Sequence, residues 1–254
     1  DGSGAHTAYL RTIEDSDRIR EFFGEGRRIV VIGAGWIGLE VAAAAREAGS
    51  EVTVFESAEL PLLRVLGPTV AQVFADLHSE HGVALRLGAT VTAEDLRGAD
   101  LVVVGVGVAP NATLAEQAGL DVDNGILVDA RLRTSDPSIF AIGDVANHDH
   151  PVLGRRIRVE HWDTAIEQAK VAAANLLGGD QDYERQPYFF TDQYDLGMEY
   201  WGHGSADDDV EVEGDLAARV FRAFWVRDGV VVAAMQANDW DASGEVKATV
   251  GKPR

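Results

Sequence analysis

The sequence predicts an α/β fold, in which a doubly wound parallel sheet is followed by a C-terminal antiparallel α+β module. Three observations predict it. Short, wholly apolar runs alternate with helical patterns over the first hundred residues, which is typical of strands buried on both faces of a parallel sheet. A glycine-rich sequence joins the first of these strands to a helix. After Pro187 the pattern becomes strand-like and contains Asp228-Gly229, a strong hairpin signal.

The elements of the parallel part follow in order. An N-terminal helix is predicted over residues 15–23, with Asp15 as its N-cap and Gly24 as its stop. Two further helices are predicted at 36–48 and 70–81, and strands at 28–32, 51–55, 83–87 and 101–104. This βαβαβ order requires right-handed crossovers and therefore a parallel sheet.

The pattern changes beyond Gly119. Short strands are predicted at 126–128 and 139–142, and a long helix at 160–177 that ends at Gly178-Gly179. Residues 219–226 and 230–237 flank the hairpin signal, and the acidic stretch 207–215 is interpreted as a solvated loop.

Composition excludes several functional classes. The 254 residues contain 22 Lys plus Arg against 42 Asp plus Glu, a net charge of −20. Nucleic acid and anionic membrane surfaces are therefore unexpected partners, since both require a basic face. The absence of cysteine excludes thiolate chemistry and Cys-ligated metal within this sequence. No apolar run is long enough to span a membrane, and the small, polar first residues do not look like a signal peptide.

The glycine-rich sequence is a G-x-G-x-x-G motif in its full context. It comprises Gly33, Gly35, Trp36, Ile37 and Gly38, with Ala34 between the first two, and lies between a buried strand and a helix. Gly33 would allow the sharp turn, Gly35 the approach of a pyrophosphate, and Gly38 close packing of helix on strand. The motif predicts a Rossmann-type dinucleotide site rather than an empty glycine turn.

Glu56 ends the next strand, 21 residues beyond Gly35. A carboxylate at this position can accept hydrogen bonds from the adenosine ribose hydroxyls and would repel a 2′-phosphate, so NAD is favoured over NADP. No arginine immediately follows Glu56, but Arg64 lies further along and keeps NADP open as the alternative.

Two further glycine clusters follow strands. Gly105, Val106 and Gly107 would leave a flat backbone at the carboxyl edge of the sheet, where a nicotinamide or flavin ring could lie; a plain crossover turn is equally compatible. Gly143 and Asp144 end a short apolar run, where the aspartate could accept hydrogen bonds from a hydroxylated chain or simply cap the backbone.

Taken together, these segments resemble the FAD-dependent NADH:ferredoxin, putidaredoxin and rubredoxin reductases, which are flavoproteins related to the pyridine nucleotide-disulfide oxidoreductases. The matching segments cover nearly the whole chain in order: YLRT (9–12), VIGAGWIGLE (31–40), RVL (64–66), GVGVAPN (105–111), residues 134–144, VEHW (159–162) and PYFFTDQY (187–194).

The resemblance implies electron transfer from NADH through FAD to a ferredoxin-like iron–sulfur protein, in the cytoplasm, with no metal site and no side chain as general acid or base. FAD would contact Asp144, residues 160–162 (Glu160, His161, Trp162) and Phe190. NADH would bind residues 33–38, Glu56 and Arg64, with its nicotinamide near Glu40 and residues 105–107. A homodimer is a further possibility. The basic run Arg155, Arg156 and Arg158 is interpreted either as a docking patch for an acidic partner or as an ordinary turn.

The resemblance also implies three parts: an NADH domain (1–112), the C-terminal part of an FAD domain (113–186) and an interface-type module (187–254). Members of this family usually begin with another Gly-rich unit that binds FAD, which this sequence lacks, and 88–100 is shorter than their usual β-meander. We therefore expect the 254 residues to bind NADH better than FAD and to have little reductase activity alone. The alternatives are a relative that reduces a disulfide, a peroxide or oxygen, and a non-catalytic nucleotide-binding signalling module.

Overall fold

The computed structural model describes residues 4–254 and divides the chain into two compact units. Unit 1 contains the residues up to Gly107 together with Phe190–Tyr200 and Gly204–Arg254, and unit 2 contains Val108–Phe189 and Trp201–His203. The predicted three-domain division stays a prediction. Among residues 4–254, no helix is both long and apolar enough to cross a bilayer.

The strands and helices are bounded as follows. The strands are β1 His6–Ala8, β2 Arg28–Ile32, β3 Glu51–Phe55, β4 Ala84–Arg86, β5 Leu101–Val104, β6 Ile126–Val128, β7 Ala146–His150, β8 Arg155–Ile157, β9 Tyr188–Gln193, β10 Leu196–Gly202, β11 Asp209–Asp215, β12 Val220–Arg227 and β13 Val230–Ala237. The helices are α1 Ile13–Arg20, α2 Trp36–Glu47, α3 Leu63–Glu80, α4 Thr113–Gln117, α5 Trp162–Leu176 and α6 Ser243–Lys247.

Unit 1 contains the predicted parallel sheet, with strand order β1-β5-β2-β3-β4. Strands β2, β3 and β5 have the predicted bounds, and the middle residues of β2 and β5 are buried, as expected for strands covered on both faces. Strand β1 was not predicted, because its three residues are largely exposed and its only strand partner is β5.

Two of the predicted helices needed correction. The N-cap of α1 is Thr12 and not Asp15: the Thr12 hydroxyl accepts the Asp15 N–H and the Asp15 carboxylate accepts the Thr12 N–H, a capping box that starts the helix earlier. The third helix begins before residue 70. It contains a break at Gly67 (φ 70°), after which Pro68 starts the longer segment.

Most of the C-terminal antiparallel sheet belongs to unit 1, apart from the first two residues of β9 and the last two of β10; the strand order is β11-β12-β13-β10-β9. The predicted hairpin is confirmed: Asp228 (φ 51°) and Gly229 (φ 74°) form a two-residue turn between β12 and β13. The prediction of a solvated loop at 207–215 was wrong, since residues 209–215 form the edge strand β11. The acidic side chains there alternate with Val210 and Val212, a strand period that the charge concealed.

Unit 2 contains a three-stranded sheet, β6-β7-β8, and helix α5. Strand β6 has the predicted bounds, but residues 139–142 are not a strand; they contribute one bridge, Phe140 to Arg133, before a single 3₁₀ turn at Gly143–Val145. Helix α5 begins at Trp162 because His161 is its N-cap, accepting the Asp163 N–H on Nδ1. A small core that includes Val128 and Leu132 holds this unit together.

Candidate dinucleotide-binding site

Two glycines of the β2–α2 loop, Gly33 and Gly38, are required by the close packing of the backbone. Gly33 has φ 100°, and a Cβ there would lie 2.4 Å from the carbonyl oxygen of Gly105. A Cβ on Gly38 would lie 2.0 Å from the carbonyl oxygen of Gly33. Both contacts are shorter than atoms tolerate, so these glycines allow close packing of the loop, helix α2 and the end of β5.

Packing within the protein does not require a glycine at position 35. Gly35 is the N-cap of α2 with φ −79° and ψ −177°, and a Cβ there would meet no atom of residues 4–254 within 4 Å. The space beside Gly35 is therefore open to a ligand. The N–H groups at the start of α2 and the helix dipole favour an anion such as a pyrophosphate at this point.

Glu56 directly follows β3 and is fixed by hydrogen bonds from the β2–α2 loop and from the two residues after it. Its carboxylate accepts the N–H of Ala34 at 2.8 Å, the N–H of Ala58 at 2.9 Å and the hydroxyl of Ser57 at 3.1 Å. Burial raises the pKa of Glu56, but the hydrogen bonds from Ala58, Ala34 and Ser57 more than offset it and leave the pKa below its ordinary value. Oε1 accepts the bonds from Ala58 and Ser57, whereas Oε2 accepts only the Ala34 N–H and therefore keeps a lone pair that can accept a ribose hydroxyl.

The sheet order indicates the direction in which a dinucleotide would lie. The chain runs from β2 outward through β3 to β4 and then crosses back to β5 on the other side of β2. This reversal between β2 and β5 is the switch point at which α/β sheets bind ligands. Glu56 follows β3 on one side and Gly105 follows β5 on the other, so an adenosine at Glu56 would direct the nicotinamide toward residues 105–107.

The backbone after β5 is open, as a ring platform requires. Val106 is 70% exposed, Gly107 has φ 109°, and the Gly105 N–H continues the sheet by donating to the Ile32 carbonyl at 2.8 Å. This arrangement favours the ligand platform over the plain crossover turn.

Glu40 lies one turn into α2 and is held by the C-terminal sheet. Its Oε1 accepts the Thr191 hydroxyl at 2.5 Å. Burial of its carboxyl group raises the pKa of Glu40; the Thr191 hydrogen bond opposes this and the charge of Asp192 adds to it. Sequence reasoning did not identify Thr191. The available signal was the polar residue at an inward position of β9, where exposed Phe190 and Asp192 alternate with buried Thr191 and Gln193.

The remaining residues predicted to contact a dinucleotide differ in how exposed they are. Ile37 is 47% exposed beside the loop, and Arg64 is exposed. The Trp36 ring packs edge-on against Phe74 at 5.7 Å between centroids, so much of its surface is used by the core. Phe190 lies on the exposed side of β9.

A second group of predicted residues lies in unit 2. Gly143 (φ 70°) opens the 3₁₀ turn, and its N–H donates to Gln168 Oε1 at 2.7 Å. The turn leaves the Asp144 side chain exposed, and Arg158 donates to the Asp144 carbonyl at 3.0 Å. The Asp144 carboxylate is thus available to a hydroxylated ligand.

The N-terminus of α5 completes this second group. Trp162 is 56% exposed, and Glu160 pairs with Arg158 at 2.7 Å. Burial lowers the pKa of His161, against the charges of Asp163 and Asp144, so the imidazole is neutral and can cap the helix. A 15-residue helix whose first residue, Trp162, is exposed would suit the polar edge of a flavin. No group of three or more His, Asp or Glu residues within 4–254 could hold a metal ion.

The comparison with known families agrees with this geometry. The family described as pyridine nucleotide-disulphide oxidoreductase matches residues 1–169, which contain both groups of predicted residues apart from Phe190. The chain belongs to the pyridine nucleotide-disulphide oxidoreductase family. A second family, described as reductase C-terminal, matches residues 188–251, the antiparallel sheet.

Relatives in this oxidoreductase family are similar along most of the chain. The ferredoxin–NAD(+) reductase component of an anthranilate 1,2-dioxygenase system from Burkholderia cepacia is 44% identical over 251 residues, covering 93% of this chain and 62% of the relative. Putidaredoxin reductase from Pseudomonas putida is 38% identical, covering 93% of this chain and 60% of the relative. A crystal structure of a covalent putidaredoxin reductase–putidaredoxin complex aligns with a TM-score of 0.88 and 37% identity, covering 97% of this chain and 63% of that one. The chain therefore spans about three fifths of the length of these oxidoreductases.

Proposed function

We propose that this protein is an NADH-dependent ferredoxin reductase of an oxygenase system, which passes electrons from NADH through FAD to a ferredoxin-type iron–sulfur protein. The observation that carries the proposal is the β2–α2 loop with Gly35 open and Glu56 fixed as an anion. The relatives named as ferredoxin and putidaredoxin reductases support the choice of reaction.

In this proposal the residues of unit 1 bind and orient NADH. The start of α2 would hold the pyrophosphate, Glu56 would accept the adenosine ribose hydroxyls and reject a 2′-phosphate, and the exposed backbone at 105–107 would support the nicotinamide. No side chain of the site needs to move a proton at a reacting carbon, because hydride transfer is cofactor chemistry.

The residues of unit 2 fit one end of an FAD molecule. The exposed Asp144 carboxylate would accept hydrogen bonds from a ribityl chain, and the start of α5 would offer N–H groups to the pyrimidine edge. When bound, FAD supplies hydride acceptance from NADH and release of single electrons. The sequence contains one G-x-G-x-x-G, which this proposal assigns to NADH.

Docking of an acidic iron–sulfur protein to this acidic chain requires a local positive surface, for which the run at Arg155, Arg156 and Arg158 is the candidate. Hydrogen bonds fix these guanidinium groups: Arg155 donates to the His203 carbonyl and Arg156 to the carbonyls of Val128 and Asn147. Arg155 and Arg156 therefore lie in an ordered strand, β8, and Arg158 follows this strand and pairs with Glu160. Arg156 donates to neutral carbonyls and is exposed, so its positive charge lies at the surface, opposite Asp149 of β7.

The proposal is tested by cytochrome c reduction with NADH, added FAD and a ferredoxin. Reduction that requires the ferredoxin supports the proposal. If a disulfide, a peroxide or oxygen oxidises NADH and adding ferredoxin does not increase the rate, the proposed electron acceptor is wrong. NADH-dependent association without turnover would contradict an enzymatic function. The cytoplasmic location and the homodimer belong to this proposal, and sedimentation of the purified protein checks the dimer.

A further inference from the structure

We infer that Thr191, Gln193 and His78 form a directed chain of hydrogen-bond donors that positions the Glu40 carboxylate toward the nicotinamide half of bound NADH. The inference rests on the proposed function and adds a task for the C-terminal sheet. Through Thr191, a strand more than 150 positions beyond Glu40 would adjust the dinucleotide site.

The chain consists of three consecutive hydrogen bonds within unit 1. His78 Nε2 lies 2.8 Å from Gln193 Oε1, Gln193 Nε2 lies 3.1 Å from Thr191 Oγ1, and Thr191 Oγ1 lies 2.5 Å from Glu40 Oε1. The three residues that lead to Glu40 are buried: His78 is 0%, Gln193 1% and Thr191 2% exposed. Water therefore cannot easily replace the two bonds between His78, Gln193 and Thr191, whereas the Glu40 end of the third bond is exposed.

The direction of the chain follows from the donors and acceptors. Gln193 uses its NH₂ group for Thr191, so its Oε1 must accept from His78 Nε2–H. The Thr191 oxygen accepts from Gln193, which leaves the hydroxyl proton for Glu40. Every proton in the chain thus points toward the Glu40 carboxylate, which must be the acceptor.

His78 prevents the reverse direction. Its Nδ1 is buried and has no hydrogen-bond partner among the described residues. If Glu40 carried a proton and donated it to Thr191 while Gln193 also donated there, the buried Thr191 hydroxyl would have neither of these partners as an acceptor for its own proton. Turning Gln193 over to accept that proton would require His78 to hold its proton on Nδ1. That would leave a buried N–H without an acceptor, which is costly. The ring environment of His78 therefore selects the arrangement in which Glu40 is an oriented anion.

Position explains why this matters for NADH. Glu40 lies one turn beyond the start of α2, where the pyrophosphate would bind, and Thr191 fixes one of its two carboxylate oxygens. The ADP portion would bind on the Glu56 side of the sheet. Loosening Glu40 should therefore affect the nicotinamide half and spare the ADP half.

The test compares NADH with ADP-ribose, which lacks the nicotinamide, by calorimetric titration of Thr191→Val and Thr191→Ser. Valine keeps the shape of threonine without the hydroxyl, and serine keeps the hydroxyl. We expect Thr191→Val to weaken NADH binding about three- to tenfold, as expected for loss of a hydrogen bond to a partly exposed carboxylate. ADP-ribose affinity should stay unchanged, and Thr191→Ser should restore most of the NADH affinity.

A double-mutant cycle with Glu40→Gln shows whether Thr191 acts through Glu40. In that background, Thr191→Val should have little further effect on NADH binding. Equal losses for NADH and ADP-ribose, no loss for either, or a full additional loss in the Glu40→Gln background would each overturn the inference. If the unmutated protein binds ADP-ribose but gains nothing from the nicotinamide, the positioning role is refuted while the loop assignment stands. If it binds neither ligand, the proposed function fails as well.

Discussion

Replacing Gly35 by alanine should abolish much of the NADH affinity while leaving the fold intact. The added methyl group would meet no atom within 4 Å in the described part of the chain, and the backbone at φ −79° and ψ −177° is open to alanine. Alanine is a slightly poorer N-cap than glycine but restricts the unfolded chain, so the free energy of unfolding should change by less than about 1 kcal/mol.

The expected loss of affinity follows from where that methyl group would lie. It would stand in the space through which a pyrophosphate approaches the first N–H groups of α2. Pushing the phosphate away by a methyl radius removes at least one charge-assisted hydrogen bond, which corresponds to a loss of about tenfold or more.

Calorimetric titration with NADH measures this loss, and urea unfolding measures stability. Gly38→Ala is the matched control, because its methyl group would lie 2.0 Å from the Gly33 carbonyl oxygen. That variant should lose about 1–3 kcal/mol of unfolding free energy, since helix and loop must separate. If Gly35→Ala binds NADH as tightly as the unmutated protein, or loses as much stability as Gly38→Ala, our account of the loop is wrong.

Three further predictions follow. Glu56→Ala should weaken NADH binding and reduce the discrimination against NADPH, and parallel titrations would contradict this if the unmutated protein bound both equally. Burial lowers the pKa of His148 from 6.5 to about 4, so the unfolded chain takes up this proton first and stability falls as the pH drops from 6.5 to 4. Between pH 6.5 and pH 4, the unfolding free energy of His148→Phe should fall by about 2–3 kcal/mol less than that of the unmutated protein, as measured by urea unfolding. A variant with the same pH dependence of stability as the unmutated protein would refute this prediction. Arg227→Met should lower the unfolding free energy by about 2 kcal/mol, because it leaves Asp208 buried without its cation; a stability equal to that of the unmutated protein would show that the pair contributes nothing.

The sequence was sufficient for the elements whose pattern is local. Apolar runs gave the bounds of β2, β3 and β5, and the turn preference of Asp228-Gly229 gave the hairpin. It failed where pairing with distant residues decides the structure. Strand β1 exists because β5 pairs with it, and β11 exists because β12 does, although its charges are typical of a loop. Residues 139–142 are apolar enough for a strand, but their pairing with residues 132–134 is limited to one bridge, and Leu132 there has a left-handed backbone (φ 67°).

The candidate site shows the same division. The distinct tasks of Gly33, Gly35 and Gly38 follow from a motif whose spacing is set by one turn and one helix. The hydrogen bond between Glu40 and Thr191 does not follow from any local motif, because 151 positions separate the two residues.

The most direct test of the central claim is to locate NADH on the protein by the amide signals that shift in an NMR titration. Our account predicts that the amides of residues 33–38 and of Ala58, whose N–H binds Glu56, shift with a single affinity, and that NADPH produces these shifts only at much higher concentration. Shifts confined to residues outside unit 1, or equal responses to NADH and NADPH, would contradict it.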